Sequence, residues 1–275
     1  MKKRARALGI PFFVALAFII AMGAAAAAAP VLSGFSPTSQ NLGERFNPPG
    51  KNGHVLGTDD FGRDQFSRIL YGSRSALLVG VVAVAISVSI GTIFGLVAGL
   101  AGKGLDSFLM FIMDSLLSFP TVLLAITVVS FLGYGLVQVM VAIGVIYSPV
   151  FARLVRAETL SLKTEGYVES SRALGSTMVK TVYLHIVPNL LGKVVVQCSI
   201  TFALSIVVES SLSFLGLGTQ PPNPSWGLML KDARNFLALA PWMAIFPGLA
   251  IALAVLSFNI LGDSISERLN PRIYD

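Results

Sequence analysis

Long uncharged apolar stretches constrain the fold of this chain more than any other feature of its sequence. Apolar residues make up 54% of the 275 residues and charged residues 12%, which is about half the charged share of an average soluble domain. Several stretches reach the ~18 residues that a helix needs to cross the hydrocarbon layer. Because lipid does not tolerate unpaired backbone groups, these stretches must be helical. The sequence therefore predicts an all-α, polytopic membrane protein.

Six stretches are long enough to be transmembrane helices, and they cover residues 8–29, 76–101, 107–132, 136–155, 194–215 and 241–261. The first follows four basic residues and ends in alanines, so it also resembles a cleaved signal peptide. We expect it to be retained as a span, because it is long enough to cross and because Pro30 stands where a cleaved product would begin. Pro149 predicts a kink in the fourth span.

The distribution of basic residues predicts the orientation of these spans. With the N-terminus in the cytoplasm, thirteen of the 20 lysines and arginines lie on the cytoplasmic side, as the positive-inside rule requires. The interpretation is a multi-pass protein of the cell (inner) membrane with both termini in the cytoplasm. The net charge of +6 does not indicate nucleic-acid binding, since the basic residues are spread over loops and form no patch interleaved with aromatic residues.

One polar stretch, residues 153–193, interrupts the apolar sequence. Its first part has a helical pattern, in which Tyr167, Ser170, Ser171 and Leu174 share a face. Glu169 and Arg172 are three residues apart and can pair on another face.

A second short helix is predicted after this one. Gly175 can adopt the left-handed conformation that ends a helix, and Ser176 can cap the next helix. Pro188 is expected to stop that second helix, because a proline pushes the preceding residue out of helical geometry. The pattern is therefore helix, glycine break, helix, proline stop.

This stretch resembles the EAA loop of ABC-importer permeases. The family pattern of Glu-Ala-Ala, three residues, Gly and a later apolar-Pro ending reads here as Glu169-Ser-Ser, Arg-Ala-Leu, Gly175 and His185-Ile-Val-Pro188, with two serines where the family has alanines. The resemblance implies that residues 158–192 are a cytoplasmic coupling loop that docks into a groove on a separate ATPase subunit. The alternative is an amphipathic loop that packs on its own membrane domain. The residues assigned to coupling are Tyr167, Glu169, Ser170, Ser171, Arg172, Ala173, Leu174, Gly175, His185 and Pro188.

Three further motifs are similar to the permeases of the dipeptide, oligopeptide and nickel group. They are Gly57-Thr-Asp-Asp-Phe-Gly-Arg-Asp64 followed by Gly72-Ser-Arg-Ser75, Ser213-Phe-Leu-Gly-Leu-Gly218, and Pro222-Asn-Pro-Ser-Trp-Gly227. This resemblance implies the type I ABC-importer permease fold, with an N-terminal span and external segment at 1–75 and a five-helix core domain at 76–275. The implied solutes are di- or oligopeptides, with nickel chelates or glutathione-like molecules as alternatives.

The same resemblance implies the partners of the chain. They are a homologous permease subunit, two ABC ATPase subunits, an extracytoplasmic solute-binding protein and the lipid bilayer. ATP and Mg²⁺ would bind to the ATPase subunits, and no cofactor is expected in this chain. The sequence holds no Gly-x-x-x-x-Gly-Lys-Ser/Thr phosphate loop and no nucleophile elbow or zinc-binding helix motif, so we expect no enzymatic activity.

Polar residues within or beside the spans are candidates for the passage or its gate. Asp114 is costly in a membrane helix, and it has either a transport role or a solvated or arginine-paired structural role. Glu209 lies either at the passage or gate or at the membrane interface. Trp226 contacts either the gate and binding protein or only the interface. A self-sufficient secondary carrier, which would need more ionisable pairs and an inverted repeat, is the less favoured alternative.

The first loop and the second span carry two further patterns. His54, Asp59 and Asp60 could hold a metal, but helix capping near Thr58 and Asp59 and pairing with Arg63 is the favoured interpretation. Glycines at 91, 95 and 99 have the four-residue spacing that lets membrane helices approach closely.

Overall fold

A computed structural model describes residues 9–269 of the chain, with the side chain of Arg172 left out of the description. Within this range the chain is helical, and its one β-type pairing is an isolated bridge between Thr58 and Asp64. In chain order, the helices are α1 (Ile10–Ala27), α2 (Ala29–Leu32), α3 (Gln65–Leu100), α4 (Lys103–Leu117), α5 (Thr121–Leu132), α6 (Leu136–Leu162), α7 (Gly166–Ala173), α8 (Met178–Thr181), α9 (Val187–Phe214), α10 (Trp226–Ala233) and α11 (Trp242–Leu269).

In the described part of the chain, five helical runs are long and apolar enough to cross a membrane, namely α1, α3, α6, the run Met178–Phe214 that contains α8 and α9, and α11. The bent pair α4 and α5 makes a sixth span if it is taken as one. The prediction of an all-α polytopic protein is confirmed. The four basic residues at the start of the chain and the last six residues lie outside the described range.

Helices α3 and α6 run side by side in the same direction at the centre of the bundle, and glycines set their spacing. A Cβ atom added to Gly91 would lie 2.5 Å from the Ser148 carbonyl oxygen, and one added to Gly95 would lie 2.6 Å from the Ala152 carbonyl oxygen. At Gly99 the added atom would meet the side chain of a residue near the end of α6. The predicted close approach at these three glycines is confirmed.

The third predicted span is not one straight helix. α4 ends at Leu117, α5 begins at Thr121, and the two axes differ by 96°. Pro120 stands at the break as the residue before α5. Its ring lacks the backbone N–H and disfavours helical geometry at Phe119, so the expected continuous helix over 107–132 is corrected to two helices with a sharp bend.

Helix α1 packs against α11 and α3. Met22 shares a buried cluster with Ala76 and Phe258. Arg74 donates from its guanidinium group to the Ala26 carbonyl and, at 3.0 Å, to the Ala27 carbonyl. A cation at this position satisfies carbonyl groups that the end of α1 leaves without helical partners.

Residues 33–64 form a compact loop segment, which we call the loop module, at the end of the bundle where α3 begins. Trp242 at the start of α11 donates its indole N–H to the Thr58 carbonyl oxygen at 3.1 Å. We call the opposite end, where α6 ends and α7 and α8 lie, the hairpin end. α3 runs unbroken across residue 75, so no break in the backbone marks the predicted domain boundary there, and that division stays a prediction.

Candidate functional site

A helical hairpin between α6 and α9, residues 166–186, contains nine of the ten residues predicted for coupling, and the tenth, Pro188, lies in the first turn of α9. α7 is followed by Gly175, whose φ of +85° is the left-handed conformation predicted for a helix end. The next helix is capped by Thr177, whose side-chain oxygen accepts from the Lys180 N–H at 3.4 Å. The predicted cap at Ser176 is therefore wrong by one residue.

The inner side of the hairpin joins its two halves. The Tyr167 ring meets the His185 ring edge-on, with 5.8 Å between centroids, and Asn189 donates to the Tyr167 hydroxyl at 3.4 Å. His185 Nε2 lies 3.2 Å from Ser171 Oγ, which donates to Ser176 Oγ at 3.0 Å. An alanine at position 171 could make neither bond, so the serine that departs from the family pattern acts as a polar connection here.

The outer side of the hairpin is exposed and partly apolar. Glu169, Ser170 and Ala173 are exposed, and 89% of the surface of Leu174 is accessible. Large apolar side chains continue this surface on the second half of the hairpin, where Met178, Val179, Tyr183 and Leu184 are exposed. Exposed apolar groups in such number mark a surface that another protein or a membrane covers.

The side chain of Arg172 lies outside the described residues. The predicted pairing of Glu169 with Arg172 therefore stays a prediction.

Pro188 does not end the second helix of the hairpin, as was predicted. A π-helical turn over Val182–Ile186 leads directly into α9, and the Val187 N–H donates to the carbonyl of Val182, five residues earlier. The helix passes from this turn through Pro188 without ending, although a proline has no N–H to donate within a helix. The second half of the hairpin and the span that follows it therefore form one continuous helical run, Met178–Phe214.

Asp114 on α4 is paired with an arginine. Arg153 on α6 places Nη2 2.7 Å and Nε 2.8 Å from Asp114 Oδ1. Of the alternatives left open by the sequence, the structural pairing is therefore present, and a transport role for Asp114 stays a prediction.

Glu209 on α9 is buried, with 1% of its surface exposed. Ser213 Oγ donates to Oε1 at 2.7 Å and Ser210 Oγ donates to Oε2 at 3.4 Å. The side chain does not reach the surface of the chain, so the interpretation as a carboxylate at the membrane interface is wrong. Its role in a gate stays a prediction.

Trp226 begins α10 and is also buried, with 3% of its surface exposed. Its indole N–H donates to the Ile69 carbonyl oxygen at 3.1 Å, and a Cβ atom added to Gly72 would lie 2.7 Å from the ring. The alternative of a plain interfacial loop position for Trp226 does not fit, because the ring is buried and fills the space that Gly72 leaves on α3. Its role at the gate stays a prediction.

The loop module is held by ion pairs and caps that differ in part from those predicted. Asp59 accepts from Arg63 Nε at 2.5 Å, as expected. The cap of α3 is Asp64, which accepts from the Ser67 N–H at 2.7 Å, whereas Thr58 and Asp59 were predicted. His54 Nδ1 lies 2.8 Å from Asp64 Oδ1. Within residues 9–269 no group of three histidine, cysteine or acidic side chains is arranged to hold a metal.

Two residues of this ion-pair network were missed by the sequence analysis. Asp232 on α10 lies 3.1 Å from Arg63 Nη2 and 3.8 Å from Arg68 Nη2, and Arg68 is almost fully buried. Burial raises the pKa of Asp232, while the two arginine charges act in the opposite direction. The pairing joins residues 169 positions apart, so no local sequence pattern could have indicated it.

Comparison with known proteins gives consistent matches. The family model described as "Binding-protein-dependent transport system inner membrane component" matches residues 91–274. The chain is 42% identical over 245 residues to the dipeptide transport system permease protein DppC of Alkalihalophilus pseudofirmus, covering 89% of this chain and 80% of that protein. It is 46% identical over 230 residues to the glutathione transport system permease protein GsiD of Pectobacterium atrosepticum, covering 84% of this chain and 76% of that protein.

A solved structure is also similar in fold. A chain of the MetNI methionine ABC transporter, in an inward-facing crystal form, matches with a TM-score of 0.62 and 20% sequence identity, over 74% of this chain and 96% of that chain. At this identity the likeness concerns the fold alone.

Proposed function

The chain belongs to the family of binding-protein-dependent transport system inner membrane components, and from this premise we propose that it is the permease subunit of an ATP-driven importer of di- or oligopeptides. The observation that carries the solute class is the 42% identity to a dipeptide permease over 89% of the chain. The 46% identity to a glutathione permease supports glutathione, itself a short peptide, as the second candidate solute. The fold is that of the type I ABC-importer permeases.

The exposed outer side of the hairpin is the proposed contact with an ATPase subunit. Leu174, Val179 and Tyr183 each expose more than 70% of their surface, which is costly in water unless a partner covers them. Tyr167, Ser171 and His185 lie on the inner side, where they hold the two halves together, and Glu169, Ser170 and Ala173 lie on the outer side. ATP and Mg²⁺ would bind to the partner, since the sequence has no phosphate loop.

The assembly that we propose has this permease and a homologous permease around the passage, two ATPase subunits at the hairpin end and a solute-binding protein at the loop-module end. Closure of the ATPase pair on ATP would move the two hairpins together. Because the second half of the hairpin and α9 form one helical run, that motion would pass directly into a span and favour the outward-facing state of a two-state system. Both termini would lie in the cytoplasm.

Asp114, Glu209 and Trp226 remain candidates for the passage or gate in this proposal. Glu209 and Trp226 are buried near the loop-module end, at the contacts of α10 with α9 and α3. A gate role for these two residues would require that α10 move during transport. Asp114 lies towards the other end and is accessible.

Leu174→Asp tests the docking surface. The complex would be purified through a tag on the permease, and the retained ATPase subunit would be quantified. We expect at least tenfold less ATPase with Leu174→Asp or Gly175→Pro, because the first places a charge on the contact and the second breaks the turn between the two helices. Leu239→Asp is the matched control, since Leu239 is a similarly exposed leucine, at 60%, in the segment that joins α10 to α11. Equal ATPase recovery with Leu174→Asp and Leu239→Asp would contradict the docking surface.

Uptake by reconstituted complex tests the solute. Proteoliposomes that hold the permease pair and the ATPase would be given the solute-binding protein, ATP and either a labelled dipeptide or labelled glutathione. We expect ATP-dependent dipeptide accumulation, and preferential glutathione accumulation would favour the second candidate. Accumulation by this chain alone under an ion gradient would instead indicate a secondary carrier.

A further inference from the structure

The ion pair between Arg153 and Asp114 is more exposed than the second ion pair that the described residues form between α4 and α6. Its side chains are 54% and 51% accessible. One helical turn closer to the end of α6, Arg156 and Asp106 form a two-armed pair at 2.5 and 2.7 Å, and their side chains are 33% and 17% accessible. The second pair is a partly covered connection between helices, whereas the first presents its charges to the surroundings of the chain.

The exposed pair lies at a level where the bundle is otherwise apolar. Gly91 and Gly95 on α3 contact the segment of α6 from Ser148 to Val155, so Arg153 lies beside this part of α3. At 1.5 Å per residue, that level is about 8 Å inside the end of α3. α3 carries no charged residue between Arg74 and Lys103, and at the same level it exposes 62% of Ile93, as a lipid-facing helix does.

Hydrocarbon is therefore an unfavourable environment for the surface that carries Arg153 and Asp114. Charged side chains at membrane depth face the inside of a bundle or a water-filled cavity, because contact with hydrocarbon costs several kcal/mol (about 2.5–3.5 for one charged residue on insertion scales). Within residues 9–269 no other element of this chain covers the pair, since both side chains remain half exposed. The surface between α4 and α6 is therefore expected to meet either water or a polar surface of the homologous permease subunit.

The pair keeps hydrogen-bonding groups available for a solute. Both arginine nitrogens that bind Asp114 contact the same oxygen, Oδ1. Among the described contacts, Asp114 Oδ2 and Arg153 Nη1 make no hydrogen bond. A carboxylate accepts from an ammonium group, and a guanidinium donates to a carboxylate. Phe111, three residues before Asp114 on α4, exposes 70% of its surface and adds an apolar contact beside the charges.

We propose that Asp114 and Arg153 form a solute-facing pair in the passage, in which Asp114 receives the α-ammonium group and Arg153 the α-carboxylate group of a zwitterionic short peptide. This rests on the proposed function, and it adds Arg153 and the charged termini of the solute to it. Between transport events the two side chains neutralise each other, and the peptide replaces each partner with a group of the same charge.

Cysteine labelling tests whether the pair faces water. In assembled complex that carries Cys198→Ala, single variants Asp114→Cys and Arg153→Cys would be treated in inside-out vesicles with two charged, membrane-impermeant thiosulfonates. We expect both to react at least tenfold faster than Ile93→Cys, the control at the same level with more exposed surface in the isolated chain. The remaining partner should invert the preference, so that Asp114→Cys reacts faster with the anionic reagent and Arg153→Cys with the cationic reagent. Rates equal to that of Ile93→Cys would overturn the proposal.

Uptake of a labelled dipeptide per ATP hydrolysed tests the role in transport. Asp114→Asn and Arg153→Gln are expected to lower this ratio at least tenfold, and Arg153→Lys should restore part of it. Asp106→Asn, from the neighbouring pair, is expected to leave the ratio within twofold of the wild type. If Asp114→Asn and Arg153→Gln both keep the wild-type uptake per ATP, the transport role of the pair is overturned, whereas the proposed function is not. Wild-type complex that hydrolyses ATP but takes up no peptide would overturn the proposed function, with the labelling result still standing.

Discussion

Single glycines determine where the central helices touch. At Gly95 the Ala152 carbonyl oxygen occupies the space in which a Cβ atom would lie, and backbone cannot move aside as a side chain can. Gly248 in α11 is different, because a Cβ atom added there would meet nothing within 4 Å. The same residue type is therefore a packing requirement at one position and replaceable at the other, and only the spacing at 91, 95 and 99 indicated this in the sequence.

Gly95→Val is expected to destabilise the protein by about 1–3 kcal/mol, the usual range for overpacking. The added side chain would push α3 away from α6. Thermal unfolding of the purified protein in detergent, followed by circular dichroism, checks the prediction, with Gly248→Val as the matched control in another membrane helix. A midpoint for Gly95→Val no lower than that of Gly248→Val would contradict it.

The ionisation of Glu44 makes the stability of the loop module depend on pH. The hydrogen bond with His54, and then that with Asn52, hold the pKa of Glu44 below its ordinary value of 4.5. A carboxylate with a lowered folded-state pKa stabilises the fold fully above its unfolded pKa, and this contribution is lost as the pH falls through the folded pKa. The Glu44 contribution is therefore complete at neutral pH, begins to decline near pH 4.5 and is lost once the pH falls below the lowered folded-state pKa.

Glu44→Gln is expected to remove that part of the pH dependence. Unfolding midpoints would be measured from pH 3 to pH 7, and the difference between wild type and variant should be largest at neutral pH and shrink towards pH 3. Glu267→Gln, at an exposed glutamate near the end of α11, is the control for the loss of one carboxylate outside the loop module. A constant difference across the range would count against a charged role for Glu44.

At the scale of elements, the π-helical turn Val182–Ile186 links the hairpin to α9. The helix continues from this turn past Pro188 into α9. The turn therefore sets how the hairpin is rotated about the axis of the span. The sequence analysis identified the glycine break at Gly175, because a left-handed turn after a helix has a local signature. It failed at Pro188, because a hydrogen bond that spans five residues has no such signature.

Deleting Leu184 is expected to uncouple the hairpin without preventing membrane insertion. Loss of one residue turns everything before it by about 100° relative to α9, so the exposed apolar side chains would point away from the ATPase. Recovery of ATPase with the tagged permease should fall at least tenfold, whereas Leu184→Met, which keeps the length, should retain it. Normal recovery with the deletion would show that the rotation of the hairpin does not matter.

At the scale of the whole molecule, the sequence predicted most of the architecture and little of its long-range chemistry. Apolar stretches located the spans because each is a local property of ~20 residues. The bend between α4 and α5 was missed, although Pro120 marks it, because the hydropathy of 107–132 is continuous. The contacts of Asp232 and the burial of Glu209 depend on how distant segments meet, and no spacing in the sequence encodes them.

The sidedness of the molecule is a prediction at this scale. In Cys198→Ala protein, Lys51→Cys in the loop module and Thr177→Cys in the hairpin are both exposed. An impermeant thiol reagent should label Lys51→Cys only in right-side-out vesicles and Thr177→Cys only in inside-out vesicles. Labelling of Thr177→Cys from the outer face would remove the hairpin from the compartment that contains ATP and would contradict the coupling proposal.

The chain has two tryptophans, and both donate an indole N–H to backbone carbonyls just before or within the first turns of α3, Trp226 to Ile69 and Trp242 to Thr58. Native fluorescence of this subunit therefore carries information from a single region. Nucleotide would be added to an assembly whose other subunits lack tryptophan. A change in the fluorescence spectrum would then show when α10 and α11 separate from that region, without any introduced label. An unchanged spectrum through a full cycle would mean that these three helices travel as one rigid unit.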